Sequence, residues 1–149
     1  MDKTIIQGLF EYMSECELLN ELADLNVDFL DDEDGQVSLE PTPAETVTQH
    51  FINGATERQY QFVLAITFSY SDEAKQTIDN SGFFEKLEEW FEEQTFKGAL
   101  PDLGEGRTAT SIEAVSSGYL YGIDENQRVA RYQIQCVLYY SNNTTYIER

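Results

Sequence analysis

A single histidine, His50, and two cysteines, Cys16 and Cys136, are the whole supply of imidazole and thiol chemistry in these 149 residues. Nucleophilic catalysis of the Ser-His or Cys-His kind needs an imidazole beside the nucleophile. Only His50 could supply one, from a strand-like segment among Thr48, Gln49 and Phe51. No GxSxG elbow occurs, and neither cysteine stands in the local sequence of a known catalytic type. The cysteines lie 120 positions apart (16 to 136) with no CxxC spacing, which favours buried or half-buried free thiols over a disulfide. Two cysteines and one distant histidine also make no zinc signature. The run Asp31-Asp32-Glu33-Asp34-Gly35 invites comparison with a calcium loop. Setting Gly35 on that loop's invariant glycine, however, puts Leu30 at the first ligand position and Pro41 at the twelfth, so both ligands are lost and a solvated acidic turn is the better reading. Gly104-Glu105-Gly106-Arg107 lacks the third glycine, the strand in front and the helix behind that a dinucleotide cradle needs. The 28 Asp and Glu residues always yield carboxylate pairs, so such pairs carry no information about acid/base chemistry. The expectation is a protein with no catalytic, cofactor-binding or metal-binding residues.

Charge narrows the partners. Against 28 acids stand nine Lys and Arg, for a formal net charge of -19, and the nine are scattered. Nucleic-acid affinity comes largely from Lys and Arg neutralising phosphates, so nucleic acid and anionic membrane are disfavoured as ligands. The longest mostly apolar stretch, around Phe62 to Phe68, is far short of the ~20 residues of a spanning helix. Met1-Asp2-Lys3-Thr4 does not open a basic region followed by a cleavable apolar stretch. The expectation is a soluble protein made and kept in a cytoplasm, with no membrane partner.

The elements that would position any site follow from periodicity. Ile5, Ile6, Leu9, Phe10 and Met13 recur at helical spacing, predicting an amphipathic helix over about residues 3 to 19 that Leu18, Leu19 and Leu22 could extend. Val27 to Leu30 and Val37 to Glu40 read as a small hairpin closed by the Asp34-Gly35 turn, and Pro41-Thr42-Pro43 punctuates the chain. Val47 to Ile52 alternates as a strand up to an Asn53-Gly54 turn. Tyr60, Phe62, Leu64, Ile66, Phe68 and Tyr70 then fall on one face of the strongest strand in the sequence. Its cover is the next helix, capped at Ser71 or Asp72, interrupted at Asn80-Ser81-Gly82, and striped by Phe83, Phe84, Leu87, Trp90 and Phe91 with Glu85, Glu88, Glu89, Glu92 and Glu93 outside. A flexible stretch from Lys97 to Arg107 leads to a strand pair, about Thr110 to Tyr121 and Arg128 to Tyr140, joined at Asp124 to Gln127. In the second strand Tyr132, Ile134, Cys136, Leu138 and Tyr140 face the core, and Arg131, Gln133 and Gln135 face away. The predicted class is α+β: a mostly antiparallel sheet flanked by two amphipathic helices in the order helix, strands, helix, strands. One domain spans 1-140, and 141-149 is a polar, flexible C-terminal tail.

Several segments taken together add a family likeness: Asn26-Val-Asp-Phe-Leu30, Val37-Ser-Leu-Glu-Pro41, Tyr60-Gln-Phe62, Asn80-Ser-Gly-Phe-Phe84, Trp90-Phe-Glu-Glu-Gln94, Lys97-Gly-Ala-Leu-Pro101, Ser117-Gly-Tyr-Leu120 and Ala130-Arg-Tyr-Gln-Ile-Gln135. They resemble the small minor capsid proteins of long-tailed bacteriophages and prophages, a group similar to the phage tail terminators. The resemblance covers about residues 1 to 140 through dispersed fold-shaping positions. It implies a virion structural protein that forms a ring, commonly a hexamer, on the head-proximal end of the tail tube. Such a ring stops tube polymerisation and offers a surface to the head-tail connector, so its partners are further copies of itself, the major tail tube protein and the connector or completion protein. It implies no catalytic residues. The alternatives are a head-side head-tail joining protein and an acidic DNA-mimic inhibitor, the latter resting on charge alone.

Overall fold

Two strands with one apolar face each, far apart in sequence, need each other and a helical cover, and the tertiary structure is built around that pairing. The computed structural model describes residues 3–20, 25–27, 36–69, 74–124 and 129–143. In chain order the elements are α1 (Ile5–Ser14), α2 (Glu17–Asn20), β1 (Leu25–Val27), β2 (Val37–Pro41), β3 (Val47–His50), β4 (Thr56–Ser69), α3 (Ala74–Lys97), β5 (Arg107–Ala114), β6 (Tyr119–Ile123) and β7 (Val129–Asn142). The 14-residue strands β4 and β7 pair antiparallel from Thr56 opposite Asn142 to Ser69 opposite Val129. Each long strand carries two short ones end to end on its outer side. On β4, β2 lies along Phe62 to Ile66 and β3 along Thr56 to Arg58. On β7, β5 lies along Cys136 to Asn142 and β6 along Ala130 to Gln133. The chain is an α+β domain with a mostly antiparallel, mixed seven-stranded sheet.

The predicted faces of the long strands are the ones that meet the helices. Phe62, Leu64 and Ile66 of β4 join Ile134, Cys136 and Leu138 of β7, with Leu9 and Met13 of α1, Cys16, Leu19 of α2 and Phe84, Leu87 and Phe91 of α3 packed over them. Each phenylalanine so buried contributes about 1.5–3 kcal/mol. Phe84 stacks on Tyr132 (ring centroids 5.9 Å apart) and meets Phe68 and Phe83 edge-on. Thr95 Oγ1 donates to the Ile112 carbonyl (2.7 Å) and accepts from the Ile112 N–H (3.1 Å), so the last turns of α3 close the outer edge of β5.

Several expectations are corrected. The first helix does not run unbroken to residue 19: it stops at Ser14, with Glu15 and Cys16 donating to Tyr12 and Met13 in tight turns before α2 begins. At 100° per residue Leu19 of a continuous helix would sit about 120° around from Met13, and the break returns it to the core. Leu22 lies outside the described residues. α3 is not interrupted at Asn80-Ser81-Gly82, because Phe83, Phe84 and Leu87 bury beyond the glycine and outweigh its cost of about 1 kcal/mol. In place of the hairpin expected of Val27 to Leu30 with Val37 to Glu40, the described residues show β1, Leu25–Val27, running parallel to β2 with Leu25 opposite Val37, while residues 28–30 lie outside the described residues. Nine intervening residues can span about 30 Å, ample for the return that parallel pairing requires; Asp31 to Gly35 themselves lie outside the described residues. The strand expected over Thr110 to Tyr121 is two strands, since Val115 to Gly118 turns between β5 and β6. Finally, β7 continues through Ser141 and Asn142, two residues into the segment read as tail, with Ser141 paired to Glu57 and Thr108. The rest of that tail, 144–149, lies outside the described residues.

The stretch read as flexible between Lys97 and Arg107 is tied down along its length. Gly98, at φ 74°, ends α3 with its N–H on Thr95 O, while the N–H of Ala99 reaches Gln94 O. The Tyr12 hydroxyl donates to the Ala99 carbonyl at 2.8 Å. Leu103 is buried, and a Cβ on Gly8 of α1 would fall 2.5 Å from the Asp102 carbonyl, so the loop lies hard against α1. Lys3 Nζ bridges Glu11 (2.7 Å) and Asp102 (3.4 Å), and the Arg107 guanidinium donates to the carbonyls of Lys3 and Leu103.

Candidate assembly surface

The residues singled out for chemistry are not brought together. His50 ends β3, exposed and opposite Thr56. Cys16 and Cys136 are free and fully buried, and burial pushes both thiols above their ordinary range, with the Glu88 charge adding to it at Cys136. The GxG segment is a turn in which Gly104 and Gly106 have φ of 86° and 79°. The Gly104 N–H that would face a phosphate already donates to Asp102 Oδ1 at 3.0 Å. Among the described residues no group of three or more His, Cys, Asp and Glu side chains is placed to hold a metal ion, and no helix is long and apolar enough to cross a membrane.

The sheet face away from the helices carries a chain of polar side chains spent on one another. Arg131 Nη2 donates to Glu40 Oε1 at 2.7 Å and, with Nε, to Gln133 Oε1 at 3.2 and 3.3 Å. Gln133 Nε2 donates to the Tyr119 hydroxyl at 2.7 Å. The Tyr121 ring lies 5.0 Å from the guanidinium carbon, within cation–π range. This seam ties β2, β7 and β6 together across the small buried side chains of Ser38 and Ala65, which pair with each other. The alternation places Arg131 and Gln133 on this face but gives no sign of their partners: Glu40 comes from β2, about 90 residues away, Tyr119 from β6, and Tyr121 from the β6 bulge between Leu120 and Gly122.

Exposed large apolar side chains stand singly at Val27 of β1, Phe96 in the last turn of α3 and Val115 after β5, and in two groups at the ends of the sheet. At one end the β3–β4 turn, closed by the Phe51 N–H on Ala55 O and by Asn53 Oδ1 accepting from the Ala55 N–H, holds out Phe51 and a fully exposed Ile52. They rim a concavity of about 640 Å³ that Glu57, Ser141 and Asn143 also line. At the other end β6 exposes Leu120, Tyr121 and Ile123, and its one strand neighbour among the described residues is β7. Ile123 is opposite Ala130 and Thr56 opposite Asn142, so twelve residues of β7 separate the two ends, about 40 Å. Sequence alternation predicts Phe51 and Ile52 as strand residues; β3 ends two residues sooner, at His50, and the turn that begins at Phe51 exposes both. Between these ends α3 presents Glu85, Glu89, Glu92 and Glu93 to solvent. Glu88, half-buried beside Glu85 and Glu92, is held above the usual carboxylate range by burial first and by those two charges second.

No protein-family model matches this sequence, and no curated protein matches it significantly.

Proposed function

We propose that the protein is a ring-forming structural subunit of a bacteriophage tail, capping the head-proximal end of the tail tube and providing the surface on which the head joins. The observation that carries this reading is the pair of unlike apolar patches at opposite ends of one sheet, Phe51–Ile52 and Leu120–Tyr121–Ile123. A two-fold dimer needs one self-complementary patch, whereas two different patches suit head-to-tail contacts, which close into a ring when successive rotations add to a full turn. The β6 edge adds backbone donors and acceptors to its patch. The family likeness supplies the hexameric stoichiometry, the tube and connector partners and the virion location. The net charge of -19 fits both roles of such a ring: like-charged subunits repel one another until the tube tip offers a complementary surface, and an acidic wall repels passing DNA. The role is structural, not catalytic.

The test is electron microscopy of particles from the parent phage or prophage with the gene disrupted, measuring tail length and head attachment together. Overlong tubes beside unjoined heads are expected, because only loss of a stop signal lets a tube keep growing. Tails of normal length lying free of full heads would move the assignment to a head-side joining protein, and intact virions would overturn the structural role. Complementation with Ile52→Asp is expected to fail as the null does, although the isolated subunit stays folded.

A further inference from the structure

We infer that the open edge of β6 pairs with the open edge of β1 in a second copy of the chain, so that one sheet runs on from subunit to subunit; this rests on the ring reading and names the contact that closes the ring. Both strands are outermost, each with one strand neighbour among the described residues, β7 for β6 and β2 for β1. They also end the same row. Leu25 is opposite Val37, Val37 opposite Ile66, Ile66 opposite Tyr132 and Tyr132 opposite Leu120, so the two edges point outward at one level of the sheet, about 20 Å apart. Their directions match such a join. β1 runs parallel to β2, and β2, β4, β7 and β6 alternate, so β1 and β6 run in opposite directions. Copies related by a rotation about the strand direction therefore meet there antiparallel, the more stable ladder. Directly opposite residues share a face of the sheet, and Val37, Ile66 and Tyr132 of this row are buried under the helices. Leu120, 46% exposed, and Val27, 39% exposed, carry that apolar face out to the two edges, and pairing continues it across the join. Exposed edges are ordinarily blocked by charge, proline or a covering element. β5, the other strand on that side of β7, is closed by Thr95 of α3. Leu25–Val27 and Tyr119–Ile123, by contrast, hold no charged residue and no proline in a chain that is 25% charged. Uncharged edges are where copies of net charge -19 meet with least repulsion. The remaining edge, β3, lies in the row of the closed β5 and has no open edge at its own level. Phe51 and Ile52, at the far end of the strands, are left for a contact along the strand direction.

The experiment follows assembly of the intact protein by sedimentation in about 1 M sodium chloride, where screening to about 3 Å removes the repulsion between copies. The assembled protein is then treated with a bismaleimide of about 10 Å reach, enough for strands about 4.8 Å apart with a slip of two residues. Cys16 and Cys136 are buried and stay silent, so added cysteines report alone. The parent is expected to sediment as an oligomer of more than two copies. Val27→Cys/Leu120→Cys is expected to give a ladder of products beyond the dimer, and either single variant none. Leu120→Glu is expected to weaken association about tenfold with an unchanged circular dichroism spectrum, and Val27→Lys in the same chain to restore it. An oligomer that forms without the Val27–Leu120 cross-link would overturn this contact and leave the ring standing. Cross-linking by Leu120→Cys alone, the mark of a two-fold β6–β6 contact, would overturn it as well. So would a parent that stays monomeric, whereas the ring itself stands or falls on the gene-disruption particles.

Discussion

Two glycines near the aromatic end of the core should respond to the same substitution with opposite signs. Gly118, at the entry to β6, has no room for a side chain: a Cβ there would fall 2.2 Å from Phe84 Cγ, 2.5 Å from its Cβ and 2.7 Å from Cδ1. Real non-bonded carbons approach to about 3.5 Å, so Phe84 or β6 must give way by more than an ångström. Phe84 is 1% exposed and hemmed in by Phe68, Phe83 and Tyr132. Overpacking of this kind costs typically 1–3 kcal/mol, and the severity here puts Gly118→Ala at about 2–3 kcal/mol, a fall in melting temperature of roughly 4–12 °C for a chain of this size. Gly82, inside α3, has nothing within 4 Å of the same hypothetical Cβ. Gly82→Ala therefore gains helix propensity alone and should stabilise by about 0.5–1 kcal/mol. Guanidinium unfolding of both variants, followed by circular dichroism, measures the two signs. If the clash with Phe84 is the cause, shrinking the ring relieves it: Phe84→Leu combined with Gly118→Ala should be less destabilised than the sum of the single variants by at least about 1 kcal/mol. A Gly118→Ala variant within about 0.5 kcal/mol of the parent, or a strictly additive double variant, would refute the reasoning. On the proposed ring role, because Gly118 seats β6 against Phe84, the same variant should weaken assembly more than its stability loss alone explains.

Burial makes both thiols inert. Neither Cys16 nor Cys136 should react with a disulfide reagent in the native protein, while both should titrate once guanidinium unfolds it; native labelling of either would contradict its placement in the core. The Lys3 bridge should give a defined pH window. Lys3, hydrogen-bonded first of all to Glu11, is held above its ordinary value of 10.5, and its contribution is complete below that value and lost as pH rises through the raised one. Glu11, held down chiefly by Lys3, and Asp102, held down chiefly by the Gly104 N–H, contribute stability above the ordinary carboxylate range that is lost as pH falls through their lowered values. The melting-temperature difference between the parent and Lys3→Met should therefore be level from about pH 5 to 9 and shrink below about pH 4 and above about pH 10.5. A difference independent of pH would mean that the bridge contributes through packing alone.

What the sequence determined by itself is what local periodicity can encode. A period of two gave the helix-facing side of β4 and that of β7, and a helical period gave the stripe of α3. The core-facing position of Cys136 and the placement of Arg131, Gln133 and Gln135 on the opposite face of β7 follow from the same period. Partner choice, by contrast, is settled by long-range packing. Whether β1 pairs parallel or antiparallel, and whether Asn80-Ser81-Gly82 breaks a helix, depends on burial gained against residues distant in sequence, which outweighs a local preference of about 1 kcal/mol. The loop after α3 is fixed by Gly8 and Tyr12, nearly 90 positions away. The same holds for the surfaces: Tyr12 and Trp90 belong to amphipathic helices that the sequence marks separately, and they become one groove only because the sheet sets α1 and α3 side by side. Spacing along a chain specifies which face a residue occupies, while the identity of the face it meets is a three-dimensional fact.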